Sequence, residues 1–164
     1  MQKIRYEASD RWSFDFGFHY SETSEYSRYD RLIRVRDNGD PFSAEWNYGP
    51  QKWLMLNSQM TKTSSSSNLY DQMHASLAYQ NFQESRISRA FESDIRETRS
   101  EQVDAISLNL DLDKALTPRT NLYYGVEYIF NAIGSMANEK NIENMTMMDV
   151  GSTKSAGTQT ISCF

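Results

Sequence analysis

The feature that most constrains the fold is a strict two-residue alternation that recurs along the chain. Trp12, Phe14, Phe16, Phe18 and Tyr20 alternate with Ser13, Asp15, Gly17 and His19. Met73, Ala75, Leu77 and Tyr79 alternate with His74, Ser76 and Gln80, interrupted only by Ala78. Ile106, Leu108, Leu110 and Leu112 alternate with Ser107, Asn109 and Asp111. Leu122, Tyr124, Val126, Tyr128 and Phe130 alternate with Tyr123, Gly125, Glu127 and Ile129. A period of two places successive side chains on opposite faces of a strand, and a helix cannot keep such a set together. Residues 52–61 form a weaker strand, with Leu54, Leu56 and Met60 on one face and Trp53 and Met55 blurring the other. Residues 3–8, with Ile4, Tyr6 and Ala8 in phase, read as a further piece of strand. The expected class is all-β and antiparallel, with five or six strands.

A half-buried soluble sheet alternates in the same way, so the connections carry the next step. About 30 residues, 21–51, separate the first and second strands. A short polar turn with four consecutive serines (62–68) follows the second. A charged stretch, 83–102, follows the third; it mixes both signs and reads as a solvated loop. A short turn with Pro118 (113–120) follows the fourth, and beyond Ala132 the chain is expected to be irregular. Long and short connections take turns, which is the habit of outer-membrane barrels, with short periplasmic turns and long extracellular loops. Trp12, Tyr70 and Tyr124 lie towards the short-turn ends. Tyr20, Tyr79, Phe82, Tyr128 and Phe130 lie towards the long-loop ends, as two aromatic belts would require.

Composition excludes some alternatives. The chain is 38% hydrophobic with a mean hydropathy of -0.71, values shared by polar soluble proteins and by membrane barrels, in which only alternate residues meet lipid. Aromatic residues make up 13%, which favours strands. A formal charge of -5 argues against nucleic acid as a partner. The longest apolar run, Trp53 to Leu56, is far short of the roughly 20 residues that a membrane helix needs. The single cysteine, Cys163, supports neither a disulfide framework nor a metal-type cysteine pair.

Two blocks, Ser27-Arg28-Tyr29-Asp30-Arg31-Leu32 and Ala44-Glu45-Trp46-Asn47-Tyr48-Gly49-Pro50-Gln51-Lys52, resemble barrel segments of TonB-dependent outer-membrane receptors, closest to the Bacteroidetes-like branch. Leu77-Ala78-Tyr79-Gln80-Asn81-Phe82-Gln83-Glu84-Ser85-Arg86 and Tyr124-Gly125-Val126-Glu127-Tyr128 look like the next strands of that family in the same order. The resemblance covers about residues 8 to 140. It implies a 22-stranded up-and-down transmembrane β-barrel in the outer membrane of a Gram-negative bacterium, closed by a plug. That barrel imports a scarce nutrient (an iron-siderophore, haem or similar) with energy delivered through TonB. Some relatives are grouped as haem, haemoglobin or transferrin receptors.

On that reading residues 1–140 are a partial barrel, open as an isolated chain. Its partners are outer-membrane lipid, the plug, the remaining strands, TonB acting through the plug, and a small nutrient. Residues 141–164 are an irregular tail, a loop or the product of a truncation or frameshift. Phe164 matches the terminal Phe of a barrel, but Ser162, Thr160 and Thr158 break the alternation before it. Residues 1–8 carry no apolar export signal, so a longer precursor is expected. Transport by this stretch alone is not expected.

His19 and His74 fall on the polar face of their strands and are the candidate ligand-binding residues, for haem iron or a metal. No ligand spacing accompanies them, so the competing reading is of histidines bonded to neighbours or water. Asp15, Asp111 and Glu127 point the same way, as polar barrel walls require, and assign no catalysis. A barrel phospholipase would need a positioned Ser–His pair, which nothing singles out; no enzyme, cofactor or metal site is expected. The run Arg28, Tyr29, Arg31, Arg34, Arg36 could meet an anionic ligand or lipopolysaccharide phosphate, or pair with Asp30, Asp37, Asp40 and Glu45. The alternative to the barrel is a soluble or surface-exposed all-β binding module whose apolar rows meet a second sheet.

Overall fold

The structure, a computed structural model, describes residues 1–163, with the side chains of 154–157 left aside. Nine strands form one antiparallel sheet: β1 (Gln2–Ser9), β2 (Trp12–Glu22), β3 (Tyr26–Ser27), β4 (Ser43–Tyr48), β5 (Lys52–Thr63), β6 (Gln72–Ala90), β7 (Ile95–Thr117), β8 (Thr120–Asn141) and β9 (Met147–Cys163). Among the described residues the one helix, α1 (Tyr29–Leu32), is a single turn. The through-sheet order is β1-β2-β5-β6-β7-β8-β9; β3 pairs with β4, and β4 with β6. The all-β, antiparallel expectation is met. The sheet is open, with β1 and β9 at its edges.

Each alternating segment forms the strand expected of it, but several strands run further. The charged stretch 83–102 is not a loop. Gln83↔Gln102 through Arg89↔Arg96 continue the β6–β7 ladder, leaving a turn of only 91–94. The chain after Ala132 is not irregular either: β8 continues to Asn141 and β9 returns beside it, from Lys140↔Met147 to Val126↔Cys163. Phe164 lies outside the described residues. Backbone pairing explains the extensions, because a ladder already in register adds a bonded pair per step whatever the side chains are.

The connection 21–51 is likewise ordered. β3 prolongs β2 and β4 prolongs β5, with Tyr26↔Tyr48 and Ser27↔Asn47 restoring the pairing above an interruption. At that interruption the Thr23 amide bonds to the Gln51 carbonyl at 2.9 Å, and the Gly49 amide to the Ser85 carbonyl at 2.8 Å. Gly49 has φ +96°, and a Cβ there would sit 2.7 Å from the Ser24 carbonyl oxygen, so glycine is required. β4 then takes the place of β5 beside the upper end of β6, from Tyr48↔Arg86 to Ser43↔Ala90.

The sheet has one layer. Among the described residues Ile87 is the only large apolar side chain that is buried. The accessible surface is 11567 Å², against about 8,400 Å² for a folded monomer of this mass. No second layer covers either face among the described residues, so the sheet alone builds no core of the kind a soluble domain needs.

Candidate functional site

Residues paired across an antiparallel ladder share a face, so the register sorts the sheet into two surfaces. One row runs Ile4, Phe16, Ser58, Leu77, Leu108, Tyr128, Ile161 across the seven strands of the main path. Its neighbours are Phe14, Met60, Ala75, Leu110, Val126 on one side and Phe18, Leu56, Tyr79, Ile106, Phe130 on the other. These three rows carry no charged side chain. They are exposed despite being apolar: Phe16 is 47%, Leu77 51% and Leu108 47% accessible.

Polar rims close this apolar face at both ends. At the lower rim the Lys62 ammonium lies 4.6 Å from the Trp12 ring and 5.8 Å from the Tyr70 ring. Nearby, Lys114 donates to Asp71 at 2.6 Å and to the Ser67 carbonyl at 2.8 Å, and the Tyr124 hydroxyl donates to the Leu69 carbonyl at 2.6 Å. The Lys114 bond and the Ala115 amide hold the Asp71 carboxyl below the ordinary carboxylate range. At the upper rim the Tyr20 hydroxyl donates to Glu22 at 2.6 Å, and Glu22 pairs with Lys52 at 3.3 Å. Asp104 accepts from Tyr79 and Asn81, each at 2.7 Å, and from Gln102 at 2.9 Å. The Asp104 cluster is not legible in the sequence, because Asn81, Gln102 and Asp104 lie beyond the alternating segments, and only the β6–β7 register brings them together. The aromatic assignment also needs correcting. Phe82 pairs with Trp53 on the polar face, and Tyr128 lies in the middle row, level with Leu77 and Leu108.

The opposite face is mostly polar over the same rows, with Met55 and Ile129 as its large apolar members. His74 lies in the row Ser13, Thr61, His74, Asp111, Gly125; Asp15 and Glu127 share the row Arg5, Asp15, Gln59, Ser76, Asn109, Glu127, Ser162. His74 Nδ1 is 3.0 Å from the Thr61 hydroxyl, and the His19 ring sits edge-on to Trp53 at 4.8 Å. The two histidines are six residue levels and two strands apart, about 22 Å by strand geometry, so they do not converge on one ligand. Asp15 and Glu127, four strands apart, are separated by about 19 Å and are no acid–base pair. Among the described residues no three His, Cys, Asp or Glu side chains gather as a metal site would require.

The basic segment 28–36 folds over the upper end of the polar face. Arg28 makes a two-pronged bond to Asp30, both contacts 2.7 Å, which lowers the Asp30 carboxyl and raises the Arg28 guanidinium from their ordinary values. Arg28 also stacks on Tyr48 at 5.1 Å, Arg31 on Trp46 at 5.4 Å, and Arg34 on Phe42 at 5.6 Å. Glu45 does not serve this segment; it pairs with Arg89 at 2.8 Å and Arg96 at 2.9 Å from the other face. No family model matches the chain, and no curated protein or solved structure is detectably similar to it.

Proposed function

We propose that this chain forms a sector of the wall of a transmembrane β-barrel in the outer membrane of a Gram-negative bacterium. In that barrel the apolar rows face lipid and the polar face lines the interior. The observation that carries the reading is the charge-free apolar band bounded by two polar-aromatic rims on one side of an uncovered sheet. Rim to rim, from Trp12 to Tyr20, the face spans eight residue steps, about 27 Å along the strand, of which the charge-free rows take the central four. A tilt of 35–45° would reduce that to roughly 20 Å of height, close to the ~25 Å apolar band of such barrels. Lys62 over Trp12 and the Tyr20–Glu22–Lys52 group have the amphipathic character of headgroup anchors.

The resemblance of the quoted blocks extends the proposal to a TonB-dependent receptor importing a scarce nutrient such as an iron-siderophore or haem. In that setting β6, β7 and β8 run well past the band, and the polar upper sheet stands outside the membrane. Cysteine labelling in intact outer membranes tests the barrel. In a Cys163→Ser background, Leu108→Cys is expected to resist a membrane-impermeant maleimide, while Asn109→Cys reacts from the water-filled interior. Equal reactivity at the two positions, or recovery of the protein in a detergent-free soluble fraction, would overturn the barrel in favour of the soluble binding module. Loss of TonB-dependent uptake of haem or ferric siderophore on deleting the gene tests the receptor.

A further inference from the structure

The upper polar face holds a cavity of about 350 Å³ whose lining includes Phe42, Trp46, Ser88, Arg86, Glu97 and Arg99. We propose that it binds a small organic anion, with a carboxylate or phosphate seated between Arg86 and Arg99 and a flat apolar part against Trp46 and Phe42. The inference uses the barrel reading only to say from which side the ligand arrives.

Three observations converge. Arg86 and Arg99 stand directly opposite each other in the β6–β7 ladder, where like charges repel. Among the described residues Arg86 forms no ion pair, and Arg99 reaches only Glu97, at 3.4 Å. The next row down, Glu84 opposite Glu101, relieves neither arginine by an ion pair. Secondly, the Tyr48 ring, level with Arg86, already carries two guanidinium groups, Arg28 at 5.1 Å and Arg86 at 5.3 Å. Asp30 neutralises Arg28, so the guanidinium left without a carboxylate at this spot is that of Arg86. Thirdly, Trp46 and Phe42 set aromatic walls beside the two arginines, and the Trp46 indole N–H, inaccessible and without an acceptor among the described residues, is not a contact for the ligand.

An oxyanion between the two guanidinium forks would accept charge-assisted bonds from both and remove their repulsion. The volume falls within the range of small-molecule sites, and aromatic walls with a few fixed polar groups are their usual construction. Arg89 is not part of the anion seat, because Glu45 and the Ser93 carbonyl hold it at 2.8 and 3.0 Å. Glu97 and, one strand further along its row, Glu139 set an acidic boundary, so the anion enters on the Arg86–Tyr48 side. Placement on the polar face separates this site from the lipid-facing surface, where lipopolysaccharide phosphates would lie.

Isothermal titration of the whole chain in detergent micelles with phenyl phosphate tests the proposal, with inorganic phosphate and benzyl alcohol as comparison probes. Phenyl phosphate is expected to bind saturably. Arg86→Gln and Arg99→Gln are each expected to weaken binding by about tenfold or more, the loss of one charge-assisted contact. Arg119→Gln, at the far end of the sheet, should leave it unchanged. Both arginine variants relieve a repulsion in the free protein, so strand content by circular dichroism should stay at the parental level. Arg99→Lys, which keeps the charge, should bind more tightly than Arg99→Gln. Failure of phenyl phosphate to bind, equal binding of benzyl alcohol, or indifference to both Gln variants would overturn the site. Inorganic phosphate binding as tightly as phenyl phosphate would overturn the aromatic half. Titration and maleimide labelling are separate measurements, so the site can fail while the barrel stands.

Discussion

The two faces of the sheet differ by one residue step and by nearly everything else. Leu108 and Asn109 are neighbours on β7. Leu108 lies in a row with Phe16, Leu77 and Tyr128, and Asn109 in a row with Asp15, Gln59, Ser76 and Glu127. A soluble sheet with such asymmetry hides its apolar side under a second layer. Here that side is uncovered, and it ends in ordered polar clusters at both edges of the band. The comparison teaches that register is the most strongly specified property of this chain: a slip of one residue would move every apolar side chain to the wrong side.

The sharpest way to break the comparison is to put one charge on each face. Leu108→Arg is expected to cost about 2–4 kcal/mol, because the position lies near the middle of the band. Asn109→Arg is expected to cost little, within about 0.5 kcal/mol. Urea unfolding in lipid vesicles measures both. Equal costs would mean that the two faces meet the same surroundings, and the lipid assignment would fail.

A second contrast lies along the strands, between the band and the sheet above it, and it marks how far the sequence could be read. Below Tyr20 and Tyr79 the alternation of Phe14, Phe16, Leu108 and Leu110 announces strands, faces and register together. His19 and His74 were placed on the correct face for the same reason. Above that level Glu84 to Glu101 carries charges on both faces, so no period survives, although the ladder runs on. The Arg86–Arg99 pairing was invisible because it depends on which residues meet across a turn of only 91–94. β9 was missed for a related reason: Thr158, Thr160 and Ser162 are polar, and so is much of their opposite row. In this upper region the structure rests on particular backbone contacts and not on a pattern. Gly49→Ala is therefore expected to loosen the β3–β4 extension, at a cost of about 1–3 kcal/mol for the positive φ. The added Cβ would also meet the Ser24 carbonyl. Limited trypsin digestion should then cut faster between Arg28 and Arg36 while band strands stay protected. Unchanged digestion would show that the extension does not depend on Gly49.

The smallest expected effect is at the lower rim, where the polar clusters are short-range and wet. Asp71 accepts from Lys114 and from the Ala115 amide, at 2.6 and 2.9 Å, and so ties the 64–71 turn to β7. Both contacts favour the ionised carboxylate, and the folded-state pKa is lowered. A lowered carboxylate pKa contributes stability that is fully present above the unfolded value, about 3.9. That contribution is lost as pH falls from there through the folded value, because the unfolded chain takes up the proton first. The protection factor of the Ala115 amide in hydrogen exchange should accordingly hold steady from neutral pH to about pH 5 and decline at more acid pH. Asp71→Asn should lower the plateau and flatten the decline, since no carboxyl remains to titrate. The upper-face reporter, the Phe42 amide bonded to the Arg34 carbonyl at 3.0 Å, should not follow Asp71→Asn. If both amides responded alike, the two ends of the sheet would be coupled, and the division into separate rims would have to be abandoned.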